Sequence, residues 1–334
     1  MDNITHTLVG LMLSRAGLNR LTPRSTAILI LAANAPDIDV VTRFSSSVKY
    51  LEYHRGFTHS LAAIPMLAVL VVLVVRVLGR TPLPWARALL VAAAGVASHP
   101  LLDWTNVYGV KLLLPFASDW LHGDLFFIVD VWIWAVLLLA VAGPAISRLV
   151  SSEIGARRTT GRGAAILALC ALCAYGFSRH LLHQRAIAVL DSRMYQGQVP
   201  VRVAAIPTPV NPFRWIGLVE GRSFYEVHDG LNLLADFDPA AGEVFYKPET
   251  SPELEAAGKT EAFRVFLGFS LYPLIRVTPA ADVENGKLVQ ATDLRFGKPS
   301  EQRFTAFVLL DGGLRVVRSG FGFGAGWRPV GTRP

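Results

Sequence analysis

The first 190 residues or so alternate between apolar runs and short polar breaks, and the remainder carries shorter, alternating runs bounded by turn residues. Six apolar runs stand out: 4–17, 25–36, 61–78, 88–104, 125–147 and 163–178, the last continuing in amphipathic form to about 190. A full membrane crossing needs ~20 predominantly apolar residues. The runs 61–78, 88–104 and 125–147 therefore predict spans, 163–178 lies near the lower limit, and 4–17 and 25–36 fit tilted spans or a re-entrant hairpin. Beyond 190, the stretches 201–206, 215–220, 244–247, 288–296, 304–310 and 314–319 predict strands, with Asp311-Gly312-Gly313 as a hairpin turn and 260–271 as an amphipathic helix. His228, beside Asp229-Gly230, reads as a turn residue. The expected architecture is an α-helical membrane bundle of about six hydrophobic helices over 1–190, followed by a small β-rich soluble domain over 191–334, a sandwich or open barrel.

Composition supports the membrane reading. The hydrophobic fraction is 52% and the mean hydropathy +0.41, above soluble proteins. The net charge of +7 does not imply a nucleic-acid partner, because the arginines concentrate in short loops. Loops 15–24, 76–87 and 148–162 carry ten arginines, which predicts that all three are cytoplasmic. A single alternating topology then puts the N-terminus, 37–60, 104–124 and everything after 178 on the outer side. Arg179, His180, His183 and Arg185 are expected to emerge or snorkel where the last helix leaves the bilayer. Cys170 and Cys173, three apart in an apolar helix, read as packing residues, and residues 1–6, without a charged n-region or cleavage site, are not expected to form a removable signal peptide.

The candidate chemistry lies on that outer side. His54-Arg55-Gly56-Phe57-Thr58-His59-Ser60 crowds two histidines, an arginine and two hydroxyls before an apolar run. Pro36-Asp37-Ile38-Asp39 puts two carboxylates beyond a helix end. His99 and Asp103, at i and i+4, share a helical face. Ionisable groups at membrane depth are costly unless paired or functional. Mixed imidazole and carboxylate ligands suit zinc, manganese or iron rather than calcium, and more than four candidates fit either a two-metal site or one metal with its outer shell. No Gly-x-Ser-x-Gly elbow supports a serine hydrolase.

These motifs resemble the YdjM-type family of membrane-bound, metal-dependent hydrolases: an early helical His6, Pro36–Asp39, His54–Ser60 and Ser98–Asp103, with the stretch 105–115 continuing the likeness. The region after 190, including 207–215, resembles the extension of its longer members. The resemblance implies a bacterial inner-membrane hydrolase using a divalent metal. Asp37, His59, His99 and Asp103 are the expected metal ligands, with His6, Asp124 and Asp130 as second-shell or possible ligands. Asp39, His54 and Arg55 are the expected catalytic residues, Arg55 suiting an anionic substrate group such as a phosphate. Zinc is the expected metal, the partner is membrane lipid, and the substrate is a phosphoester of a lipid or envelope precursor. The competing reading is a non-enzymatic metal-binding membrane protein, a sensor or transport component. Asp130, set within an apolar run, is expected to face the bundle and pair with a polar group.

Overall fold

A computed structural model of the chain describes residues 1–79, 82–153, 161–301 and 304–323. Arg80, Arg157 and Arg158 of the basic loops lie outside these. Packing divides the chain into two units. The first comprises Met1–Asp39, Arg55–Gln184 and Pro207–Phe213; the second comprises Val40–His54, Arg185–Ile206 and Arg214–Pro334.

The helices follow the apolar runs, but polar motifs cut several of them short. They are α1 (Asn3–Ala16), α2 (Ser25–Ala32), α3 (Ser47–Tyr53), α4 (Ala63–Gly79), α5 (Trp85–Trp104), α6 (Val131–Glu153) and α7 (Arg162–Asp191). Among the described residues, α5 and α7 are long and apolar enough to cross a membrane. Up to four spans result if the bent pairs Ser25–Ala32 with Ala35–Phe44 and Ser47–His59 with Ala63–Gly79 each count as one. The helical N-terminal region is as expected, with two to four candidate spans among the described residues. Pro36 has no backbone N–H to continue the α-helical ladder, and the chain after α2 tightens into a 3₁₀ segment, Ala35–Phe44, that carries Asp37 and Asp39. The run 125–147 is divided as well. Leu125 and Phe126 bond to the Thr105 carbonyl, and Asp130 caps α6 by accepting the Trp132 and Ile133 amides at 3.0 and 3.2 Å.

At 30 residues α7 is ~45 Å long at 1.5 Å per residue, more than the ~30 Å hydrocarbon core. Arg179 does not snorkel. It is buried, and its guanidinium donates to the Leu125 and Pro212 carbonyls of its own unit.

Two glycines set how the first helices meet. A Cβ on Gly10 of α1 would lie 2.9 Å from the Leu29 carbonyl oxygen, and one on Gly95 of α5 would lie 2.7 Å from the Ala32 Cβ. Small residues let backbones approach this closely, so α1 and α5 both press against the same turns of α2. His6 lies four residues before Gly10 and His99 four residues after Gly95. One helical turn from each contact, the two rings meet and stack with centroids 3.7 Å apart.

The second unit is built on two four-stranded sheets, ordered β1-β2-β3-β4 and β5-β6-β7-β8. Their strands are β1 (Arg202–Pro207), β2 (Arg214–Glu220), β3 (Phe224–Asn232), β4 (Glu243–Tyr246), β5 (Pro273–Pro279), β6 (Lys287–Asp293), β7 (Phe304–Leu310) and β8 (Val316–Phe323). Both sheets are open rather than a closed barrel. Between them in sequence come α8 (Pro252–Gly258) and α9 (Glu261–Phe269), the latter capped by Thr260. Phe266 and Phe269 of α9 pack on Phe304 and Phe321 of the second sheet. α3 packs in this unit too: Ser47 Oγ donates to the Phe321 carbonyl at 2.5 Å and Lys49 pairs with Glu261 at 2.9 Å.

His228 is not a turn residue. It lies in β3 opposite Gly217 of β2, buried beside Glu226 at 3.1 Å. The Asp229-Gly230 pair that looks like a turn is an exposed stretch of a paired strand. Burial pushes the Glu226 carboxyl above its ordinary range and the His228 imidazole below its own.

Candidate metal centre

Four side chains from three segments of the first unit converge on one point. The 3₁₀ segment supplies Asp37, the short turn Phe57–His59 supplies His59, and α5 supplies His99 and Asp103. His59 Nε2 and His99 Nε2 are 3.1 Å apart, and each lies 3.4 Å from Asp37 Oδ1. Asp103 Oδ2 is 3.5 Å from His59 Nε2 and 3.3 Å from His99 Nε2. Four donors held tetrahedrally at ~2.0–2.1 Å from one ion would be ~3.3–3.4 Å apart. The five distances fall around that value, so the donor set fits a single small divalent cation. His59, His99 and Asp103 are sealed from solvent, whereas 17% of the Asp37 side chain is exposed.

The surrounding groups fix how these donors point. His99 Nδ1 lies 2.6 Å from the Ala33 carbonyl, which accepts its proton and leaves Nε2 as the lone-pair donor. His59 Nδ1 lies 3.2 Å from Asp39 Oδ2, the carboxylate–imidazole arrangement that orients metal-ligating histidines. Asp39 Oδ2 also accepts the Arg55 amide at 2.9 Å and the Thr58 hydroxyl at 3.0 Å. Asn3 Nδ2 donates to Asp37 Oδ2 at 2.8 Å. Asp103 Oδ1 faces away from the cluster and takes Arg55 Nη2 at 3.0 Å and the α-amino group of Met1.

Arg55, Asp39 and His54, the residues expected to act on substrate, each have defined neighbours. Arg55 is 5% exposed; its Nη1 reaches Asn106 Oδ1 at 3.0 Å and its guanidinium covers the Tyr108 ring at 4.9 Å. The guanidinium is thus held between a carboxylate, a carboxamide and an aromatic face. Asp39 is likewise committed to His59, Thr58 and the Arg55 backbone. His54 ends α3, belongs by packing to the second unit, and stacks on Tyr50 at 4.5 Å.

Of the possible additional ligands, His6 stands beside the cluster. It is fully buried, its Nε2 is 3.4 Å from Asp103 Oδ1, and neither ring nitrogen has a hydrogen-bond partner. Asp124 instead pairs with His122 Nδ1 at 2.9 Å, and Asp130 caps α6 with the Tyr175 hydroxyl 3.3 Å away. Neither belongs to the four-donor group. Sequence reasoning passed over Asn3 and Asn106. Asn106 is fully buried, and its Oδ1 also accepts the Tyr108 amide at 2.8 Å, so it holds Arg55 and the turn after α5 together.

With this geometry in place, residues 1–186 match the family described as YdjM inner membrane protein, more than half of the chain. The chain belongs to that family. Residues 252–325 match a second family, the YfhP C-terminal alpha/beta plait domain. A curated relative, "Uncharacterized protein YfhP" of Bacillus subtilis (strain 168), is 30% identical over 152 residues, covering 42% of this chain and 46% of that protein. The match thus spans about half the length of that relative. No solved structure matches the chain. Family membership and the apolar helices identify a membrane protein, and its YdjM region carries a buried histidine–aspartate cluster able to hold a metal ion.

Proposed function

We propose that the chain is a metal-dependent hydrolase of the inner membrane, with one divalent ion, zinc by preference and manganese or iron as substitutes, held by Asp37, His59, His99 and Asp103. The observation that carries the catalytic part is His6: a metal held for structure alone does not need a second buried imidazole stacked on one of its ligands and set 3.4 Å from the carboxylate of another. A bound divalent ion would supply a Lewis acid and a water acidic enough to ionise near neutral pH. Asp39 and Arg55 hold His59 and Asp103 in their orientations, so little reorganisation is required when the substrate arrives. His6 Nε2 holds or passes a proton beside Asp103 Oδ1. The exposed edge of Asp37 is the side from which a substrate reaches the site.

We favour a phosphoester of a lipid or envelope precursor as substrate. With Arg55 committed to Asp103 and Asn106, this class rests on membrane location and on the affinity of phosphoryl oxygens for a divalent cation. The site and the second unit are assigned to the extracytoplasmic side on the arginine distribution. One observation favours the rival, a non-enzymatic metal-binding protein: four protein donors can close a tetrahedral shell.

Metal analysis of the purified protein separates these readings when combined with two substitutions. Stoichiometric metal is expected in the wild type and absent from His99→Ala. His6→Ala is expected to keep the metal but lose phosphodiesterase activity on a chromogenic ester by about 10²-fold or more. Absence of metal from folded wild type sinks the site. Metal with no activity in the wild type favours the sensor or transport reading.

A further inference from the structure

The C-terminal end of α7 borders a cavity that the metal chemistry does not involve. Its volume is about 160 Å³, and its lining includes Arg185, Val189 and Arg193 on one side and Asn232, Asp236 and Phe237 on the other. At i, i+4 and i+8 the first three share a face. Asn232 Oδ1 accepts the Leu234 amide at 3.1 Å, which leaves its Nδ2 as a donor. Among the described residues neither arginine forms an ion pair, although Asp236 lines the same cavity. The local balance is two guanidinium groups against one carboxylate.

Depth and rim indicate what this charge faces. The apolar part of α7 runs from 163 through Leu181 and Leu182, and Arg185 follows ~4.5 Å further along the axis. A headgroup layer is ~5–7 Å thick on each side of the hydrocarbon core, so Arg185 stands within it. Leu234, beside the lining residue Leu233 in sequence, is 71% exposed and offers an apolar side chain at the rim of the polar cavity. The volume equals that of roughly five waters, enough for a phosphate with part of its glycerol.

We propose that this cavity binds the headgroup of an anionic phospholipid. Arg185, Arg193 and Asn232 Nδ2 contact the phosphate oxygens, while Leu234 meets the acyl-glycerol portion. Asp236 disfavours dianions and selects for the singly charged phosphodiester.

The test is native mass spectrometry of the full chain in detergent, titrated with phosphatidylglycerol or phosphatidylcholine of matched acyl chains. Phosphatidylglycerol is expected to bind more tightly. Arg185→Gln with Arg193→Gln should weaken it about tenfold or more, as loss of charge-assisted bonds implies, while Arg222→Gln at an exposed site elsewhere leaves it unchanged. Both arginines are exposed, so folding is expected to survive and is verified by the thermal midpoint. Equal binding by the double variant overturns the proposal. So does displacement by inorganic phosphate without preference between the two lipids, which would make this a site for a soluble anion. Metal content measured on the same samples keeps this outcome separate from that of the metal centre.

Discussion

Arg55 adopts φ 59°, a left-handed conformation uncommon outside glycine, and its backbone is held there by the Asp39 carboxylate on its amide and the Lys111 amide on its carbonyl. The strain places the guanidinium between Asp103 and Asn106, a fork that a lysine ammonium cannot reproduce. Arg55→Lys is therefore expected to weaken metal binding by about 10–100-fold, the usual cost of removing an outer-shell partner. Arg55→Gly relieves the backbone but loses the fork, so it should bind metal as poorly or worse. Competition with a chromophoric chelator measures both, and wild-type affinity in Arg55→Lys would remove the positioning role. In the second unit, the buried Glu226–His228 pair gives a pH-dependent prediction. A carboxyl raised above 4.5 contributes stability that is full below that value and lost as pH rises through the folded value; an imidazole lowered below 6.5 contributes stability that is lost as pH falls. Relative to wild type, Glu226→Gln should gain stability as pH rises from 4.5 to 7, and His228→Gln as pH falls below 6.5. Urea midpoints read by proteolysis within this unit check the sign; parallel wild-type and variant profiles would contradict it.

At the scale of elements, α2 matters beyond its eight residues because Gly10 and Gly95 bring α1 and α5 onto it. Gly95→Leu should drive α5 outward, moving His99 and Asp103 away from His59. The expected result is a loss of about 1–3 kcal/mol from overpacking together with loss of metal. A variant that is destabilised yet binds metal normally would show that the site tolerates the shift. The sequence reveals most of the helices, because apolar runs broken by arginine loops leave few alternatives. It also marks His6, Asp37, His59, His99 and Asp103 as candidates, being polar residues at apolar depth or in motifs beside it. It does not reveal that motif segments end the helices early: hydropathy counts residues, whereas α2 stops at Ala32 and the chain from Ala35 tightens into a 3₁₀ segment. Two strands also went unread. β5 begins and ends with proline, which an edge strand tolerates, and β3 contains Asp229-Gly230. The commitments of Asn106 and Arg55 depend on contacts across 51 residues, beyond any local pattern.

For the whole molecule, the side of the membrane on which each unit lies decides whether the C-terminal half can influence the site. The arginine count assigns both to the outer face, yet part of it rests on Arg157 and Arg158, outside the described residues. A second, independent argument comes from α3. Residues 40–54 lie in the chain between Asp39 and Arg55, both at the metal centre, yet they pack within the second unit through Ser47, Lys49 and the Tyr50–Phe323 ring contact. A segment of fifteen residues whose two ends are fixed at the metal centre cannot lie across the bilayer from it, since out and back would require two crossings of ~20 residues each. The unit that packs around α3 is therefore expected on the same side as the metal centre. The length of α7, ~45 Å, allows it to cross and deliver the chain there. The test uses single cysteines at Ser46, the cap of α3, and at Ser192, just beyond α7, both exposed, in a background lacking Cys170 and Cys173. In intact cells an impermeant thiol reagent should label both positions equally. Labelling at Ser46 but not at Ser192, with the fold intact, would place the tail opposite the site and refute the docking of α3. Equal protection of both until the cells are opened would preserve that docking and turn the whole site towards the cytoplasm, overturning the arginine assignment alone.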